Sequence, residues 1–298
     1  MTEKNYTFAF VILHYNVLQE TLRCIQSIKD NVCNSIYKIV VVDNASPNKT
    51  GQELEKKFTE DPVVSVILND KNLGFANGNN VGIDFARKTL NADFVIALNN
   101  DTYLLQKDFT QVIESEWHNS FFAVMGPKVH TPAGINQNPV PFEINNKEEI
   151  RKRIIRYSLA YVRATLGIDG IYFLLKQKAK IILHHKNDVV TQNQDRQHLR
   201  QENVKLHGCC LVFSPKFFEF FNGFDPKTFM YLEEDILIAH LRQKKLLSVY
   251  NPLLQIFHDE MAATKSLSET NRRKQLFVYG EYLRSLKILR KFIRSAEE

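Results

Sequence analysis

Four short clusters carry most of the chemistry-bearing residue types of the first hundred positions: His14-Tyr15-Asn16, Asp43 to Pro47, Asn72 to Gly82, and Asn99-Asn100-Asp101-Thr102. Carboxylates and amides can accept from a base edge or ligate a hard cation. They are also ordinary turn residues, so each cluster alone reads equally as turn chemistry. Asn99 and Asp101 lie two apart, and on an extended segment their side chains would project to the same side. One carboxylate beside one amide is a weak cage. It suits Mg²⁺ or Mn²⁺, which takes most of its oxygens from water and a bound diphosphate; an Asx turn capping a strand is the other reading. A later triplet, Glu233-Glu234-Asp235, opens a helical pattern. Three adjacent acids suit a helix N-terminus for dipole reasons alone. Helix geometry cannot aim all three into one pocket.

The elements that must position these groups follow from periodicity. Phe8–Leu13, Ile39–Val42, Val63–Leu68 and Phe94–Leu98 read as strands, and Glu20–Asn31, Gln52–Phe58 and Asn80–Thr89 as helices. Strand and helix in alternation predict a doubly wound α/β sheet with ligands outside the carboxyl ends of its strands, which is where the four clusters fall. Glycines 74, 78 and 82 are spaced Gly-x-x-x-Gly-x-x-x-Gly after the third strand, which argues against a dinucleotide fingerprint. They would allow close backbone approach, and the helix start after them would offer N–H groups to anions. Further on, Phe121–Val129 and Val204–Phe213 read as strands, and Pro215–Phe221 and Glu233–Gln243 as helices.

The 298 residues, 44% apolar and 24% charged, suffice for a large core and exclude disordered and collagen-like classes. Four cysteines without metal spacing fit a reduced compartment. Cys209 and Cys210 are expected as buried packing, and Trp117 as core. No run approaches a membrane span and no signal-type apolar run follows Met1, so the expectation is a cytoplasmic chain, with peripheral contact at the inner membrane face left open. The net charge of +6 is uneven. Lys147 to Lys186 holds ten basic against three acidic residues, and Lys265 to Glu298 nine against four. This predicts a basic helical insert at about 147–190 within a domain spanning 1–264, followed by a basic helical extension at 265–298. The insert either packs on the body as a hairpin with a solvated basic face or lies on an anionic membrane. No nucleic-acid motif accompanies the basic residues, so no nucleic-acid partner is expected.

The run Val41-Val42-Asp43-Asn44-Ala45-Ser46, the run Asn72-Leu73-Gly74-Phe75-Ala76-Asn77-Gly78-Asn79-Asn80 and the run Leu98-Asn99-Asn100-Asp101-Thr102 resemble family 2 glycosyltransferases, nearest their rhamnosyltransferase-like branch. Gly208-Cys209-Cys210-Leu211-Val212, Asn222-Gly223-Phe224-Asp225, Phe229 to Leu237 and His258 agree with it. The resemblance implies a GT-A type nucleotide-diphospho-sugar transferase fold: a mostly parallel sheet with helices on both faces.

It also implies inverting sugar transfer from a nucleoside diphosphate, UDP or dTDP, to a saccharide or lipid-linked glycan, in surface polysaccharide synthesis. Asp43 matches the position that reads the base, flanked by Tyr15 and Asn16, with Asn72, Gly74 and Asn79 lining the loop beneath. Asp101, helped by Asn99, matches the metal-binding Asp-x-Asp motif for Mn²⁺ or Mg²⁺, and His258 a histidine completing that shell. Gly208 matches the glycine passing close to the donor sugar. The base falls in the acidic triplet, at Glu234 in the ungapped alignment and at Asp235 if shifted by one. A catalytically silent nucleotide-sugar binding subunit is the alternative.

Overall fold

The computed structural model describes residues 5–33, 35–142, 144, 146–168, 197–260 and 272–295. Its centre is a nine-stranded sheet: β1 (Thr7–His14), β2 (Ile36–Asp43), β3 (Val64–Leu68), β4 (Phe94–Asn99), β5 (Thr102–Leu104), β6 (Val124–His130), β7 (Gln201–Glu202), β8 (Cys210–Phe213) and β9 (Ser248–His258). The order is β3-β2-β1-β4-β8-β6-β9-β5, with β7 paired to β9. β1–β4 run parallel, β8 runs against β4 and β6, and β6 and β9 run parallel again. The sheet is therefore mostly parallel, as expected.

Period-two alternation sends each strand's residues to two separate cores. Phe8, Phe10, Ile12, Ile39, Val41, Phe94 and Ile96 pack beneath α1 (Leu18–Asn31), α2 (Thr50–Phe58) and α4 (Phe109–Ser120), where Trp117 is core as expected. Ala9, Val11, Val40, Val42, Val95 and Ala97 face α3 (Gly74–Lys88), α6 (Pro215–Phe218) and α7 (Glu233–Gln243). The residues facing α3 are small because that helix lies close. A Cβ on Gly82 would stand 2.4 Å from Val11 Cγ1, and one on Gly78 2.6 Å from Leu13 Cδ1.

α5 (Lys147–Leu166) and α8 (Arg272–Ser295) pack on each other and on α7, around Ile150, Leu232, Ile236, Leu286 and Leu289. The charge-bearing insert positions Lys176, Lys178, Lys180 and Lys186 lie outside the described residues.

Three sequence expectations change, and one strand, β9, adds to those expected. The helix expected from Asn80 starts at Gly74, so most of the supposed rim loop is helical. Its asparagines face protein: Asn80 Nδ2 donates to Phe224 O and its Oδ1 accepts from Phe224 N–H, while Asn77 donates to Pro226 O. The strand expected at 204–213 is only Cys210–Phe213, because residues 203–209 are irregular, with a single isolated bridge from Lys205 to Val140. β6 begins at Val124 because Phe121, at φ 48°, ends α4. The 248–258 strand, β9, carries no alternation strong enough to announce it, yet it sets His258.

Candidate active site

Register brings the polar strand ends level. His14 pairs with Asp43, Leu13 with Asn99, Leu98 with Cys210, and Thr102 with His258. Six strands thus end or begin along one sheet edge, the edge where open α/β sheets bind ligands.

On the β1–β2 side, Asp43 is buried and accepts from Ser46 N–H at 3.3 Å and 3.2 Å on its two oxygens, and from Ser46 Oγ. Gly51, in the first turn of α2, leaves the room its carboxylate needs: a Cβ there would sit 2.2 Å from Asp43 Oδ2. Behind it, His14 Nδ1 lies 2.7 Å from Thr21 Oγ1 and Nε2 2.9 Å from Thr50 Oγ1. Burial lowers the His14 pKa, opposed by the Asp43 charge. Tyr15 is 43% exposed. Asn16, at φ 66°, gives its N–H to Ser46 Oγ, and its buried Oδ1 has no hydrogen-bond partner. Asn44 ties the neighbouring loop together, donating to Asn72 Oδ1 and Gly74 O and accepting from Leu73 N–H.

The start of α3 is not the open anion site the sequence suggested. Leu73 N–H goes to Asn44, Gly74 N–H to Asn72 Oδ1, and Phe75 N–H to Phe229 O. Gly74, at φ 77°, permits that last approach; a Cβ would meet Phe229 O at 2.1 Å. Asn79 does not line a loop either. It is 1% exposed inside α3 and donates to Phe75 O. Its helical position spends its amide on the preceding turn.

On the β4 side, Asn99 ends the strand and Asp101 lies in the turn to β5, so the extended spacing expected for this pair is broken. The turn is held by Asp259 N–H donating to Asp101 O. Asp101 is buried, with Oδ1 3.3 Å from His258 Nε2. His207, His258 and Cys209 place donor atoms within 4.8 Å of one another. Burial, with His258 adding to it, takes the His207 pKa down to about 4, so its ring is neutral and Nδ1 accepts from Cys209 N–H. Cys209 and Cys210 are fully buried, and burial raises both thiols far above their ordinary range, consistent with packing.

The acidic triplet splits three ways at the start of α7. Tyr231 and Leu232, both left-handed at φ 75° and 64°, turn the chain sharply into the helix. Glu234 Oε1 accepts from Gly208 N–H at 3.1 Å, and a Cβ on Gly208 would lie 2.6 Å from that oxygen. Asp235 is engaged by buried Lys205 at 3.0 Å. Burial raises the Asp235 pKa against the pull of Lys205. Glu233 is 6% exposed, and its Oε1 has no partner. Burial, reinforced by the Glu234 charge, pushes its carboxyl up to about 8.

Sequence reasoning missed Asn44 as an organiser, Gly51, Lys205, His207 and the run Asn136-Gln137-Asn138. Asn138, fully buried, donates to Pro127 O and accepts from His207 N–H. Only the sequence neighbourhood of Gly51 and Asp43 offered a signal; the others act across long sequence separations.

The layered sheet, its mixed second half and a rim built from the ends of six strands define a GT-A type nucleotide-sugar transferase fold. The Glycosyl transferase family 2 profile matches residues 9–165, more than half of the chain, and the chain belongs to that family. The low-salt glycan biosynthesis hexosyltransferase Agl10 of Haloferax volcanii is 27% identical over 110 residues, 36% of this chain and 34% of that protein. The match therefore spans about a third of the relative's length. Among solved structures, GalNAc-T7 with UDP, GalNAc and Mn²⁺ superposes with a TM-score of 0.56 at 13% identity, covering 86% of this chain and 44% of that one. S. aureus TarS gives 0.52 at 12%, covering 90% and 41%. At these identities the likeness concerns the fold.

Proposed function

We propose that the chain transfers a sugar from UDP or dTDP to an acceptor hydroxyl with inversion, with the help of a divalent cation, Mn²⁺ or Mg²⁺. The observation that carries this reading is the pairing of Asp101 with His258 on the same rim as the Gly208–Glu234 contact. These residues suit a cation: Asp101 offers a buried carboxylate and His258 a ring nitrogen 3.3 Å from it, and Asn99 adds an amide at the strand end. Such a cation would stabilise negative charge on the departing diphosphate.

The remaining roles fall to the chain itself. Asp43, as an acceptor-only carboxylate, takes the ring N–H of uracil or thymine, with Tyr15 and the unpartnered Asn16 Oδ1 beside it. Asn72 and Gly74 shape the loop beneath; Asn79 supports it from within the helix. Glu234 removes the acceptor hydroxyl proton as the acceptor oxygen bonds to the anomeric carbon and the bond from that carbon to the diphosphate breaks. Asp235 is less suited, because Lys205 holds it. Gly208 keeps the Glu234 carboxylate in place while leaving the donor side uncrowded.

In this reading residues 1–264 form the transferase domain and 265–298 an extension, whose described part, α8, packs on α5 and α7. The acceptor is a saccharide or lipid-linked glycan of a surface polysaccharide. Contact with an anionic membrane is supported by the outer face of α5, where Leu159 and Leu166 are 57% and 66% exposed. A groove of about 410 Å³ beside it is lined by Arg284, Lys287 and Lys291. No helix among the described residues is long and apolar enough to cross a membrane.

The test is donor turnover with Mn²⁺ present. Wild type should release UDP or dTDP, Asp101→Ala should abolish both turnover and Mn²⁺-dependent nucleotide binding, and Glu234→Gln should abolish turnover alone. Nucleotide-sugar binding without turnover under every donor would instead make the chain a silent binding subunit.

A further inference from the structure

The Nδ1 side of His258 is occupied in a way that decides what its other nitrogen can do. Nδ1 lies 2.8 Å from Gln137 Oε1, and the same amide donates from Nε2 to Glu260 Oε1. A carboxylate only accepts, so Glu260 fixes the amide with its NH₂ toward itself and its carbonyl toward His258. The carbonyl in turn accepts only, so Nδ1 carries the hydrogen of that contact. Nε2 is left to face the Asp101 carboxylate 3.3 Å away.

That nitrogen and the carboxylate can be joined by a proton on Nε2 or by a cation held between them, and with Nδ1 already engaged the second option leaves both atoms free to act as ligands. Histidine ligands commonly owe their tautomer and orientation to such an outer partner. Gln137 is itself held. Asn136 Oδ1 accepts from Val129 N–H and Asn138 N–H on either side of it, and Gln137 N–H reaches Val129 O. The loop after β6 is thereby pinned to the strand beside β9, and the amide has little freedom to turn away.

We propose that Gln137, locked by Glu260, is a positioning residue: it fixes the His258 tautomer so that Nε2 and Asp101 form a ready-made pair of cation ligands. The inference rests on the metal-assisted reading above and adds to it two residues outside every family motif noted in the sequence.

The experiment combines Mn²⁺ binding with a direct view of the tautomer. In the UDP-saturated protein, Mn²⁺ affinity read by electron paramagnetic resonance should fall about tenfold in Gln137→Met. Glu260→Leu, and Glu260→Gln, whose amide can donate as well as accept and so no longer fixes the orientation of Gln137, should weaken it in the same direction. In a His258→Ala background Gln137→Met should have no further effect. An equal loss in that background, or unchanged affinity in Gln137→Met alone, overturns the proposal.

Independently of metal, ¹⁵N-histidine spectra of the metal-free protein above neutral pH should show His258 protonated at Nδ1, and this signature should be lost in Gln137→Met. Protonation at Nε2 in wild type overturns the relay. Absence of Mn²⁺ binding in wild type, with the Nδ1 signature present, instead sinks the metal reading and leaves the tautomer relay standing.

Discussion

The backbone N–H of Gly208 donates to Oε1 of Glu234 across 3.1 Å, joining two residues 26 positions apart. The contact singles out one acid of three. Glu233 is turned into the interior, Asp235 is held by the Lys205 ammonium, and Glu234 is the one that takes a backbone N–H, that of Gly208, from the segment leading into β8. That segment also carries His207, whose ring centroid is 5.6 Å from that of His258. The proposed base and the proposed cation ligands are therefore organised by one stretch of irregular chain.

Gly208→Ala should disturb this arrangement with little effect on the fold. The added Cβ would crowd Glu234 Oε1 at 2.6 Å, and the flexible carboxylate, not the backbone, would give way. A displaced base of this kind lowers kcat by roughly a hundredfold. Steady-state kinetics should show that loss with donor KM near wild type and Tm preserved; full activity in the variant would remove Gly208 from the mechanism.

Gly51→Ala probes the nucleotide end. Alanine is the better helix former, yet its Cβ would stand 2.2 Å from Asp43 Oδ2 and push the carboxylate from its seat. UDP affinity by calorimetry should drop about tenfold, the equivalent of one charge-assisted hydrogen bond. CDP affinity should change less, because cytosine lacks the ring N–H that Asp43 is proposed to accept. Equal losses for the two nucleotides count against base reading by Asp43.

Lys205 and Asp235 form a buried pair, and removing one partner strands the other. Lys205→Met should destabilise the protein by about 3 kcal/mol in urea unfolding. Replacing both, as Lys205→Met with Asp235→Leu, should recover much of that loss. Failure of the double variant to recover would mean that the pair does more than balance charge.

Glu233 gives the stability a pH dependence of definite sign. Its folded carboxyl titrates at about 8, above the ordinary glutamate value of 4.5, so between these limits the folded protein keeps a proton that the unfolded chain has released. Its stabilising contribution is complete below the lower value and is lost as pH rises through the upper one. Tm should therefore decline across that window, and Glu233→Gln should flatten the decline. Parallel Tm profiles for the two proteins would show that another group is responsible.

The first four strands were legible because each is a short apolar run bounded by polar turn residues, a local signal that needs no partner. The helix at Glu233–Gln243 was legible for the same reason, from its acids and apolar spacing. Asn72 to Gly82 misled because asparagine and glycine normally mark loops. Here they mark a helix whose Gly78 and Gly82 meet β1 side chains and whose Asn77 and Asn80 bond the backbone of Pro226 and Phe224, and no local pattern encodes a distant backbone partner.

By itself the sequence determined the alternation of strand and helix, the polar strand ends and the residue types able to do the chemistry, since these depend on neighbours a few positions away. The tertiary structure alone decided which carboxylate of the triplet lies against Gly208, that Asp101 meets His258, and that Gln137 and Glu260 govern that histidine. Hydrogen bonds and burial between residues 26 to 123 positions apart, as in these hydrogen bonds, exist only once the sheet has fixed its strand order.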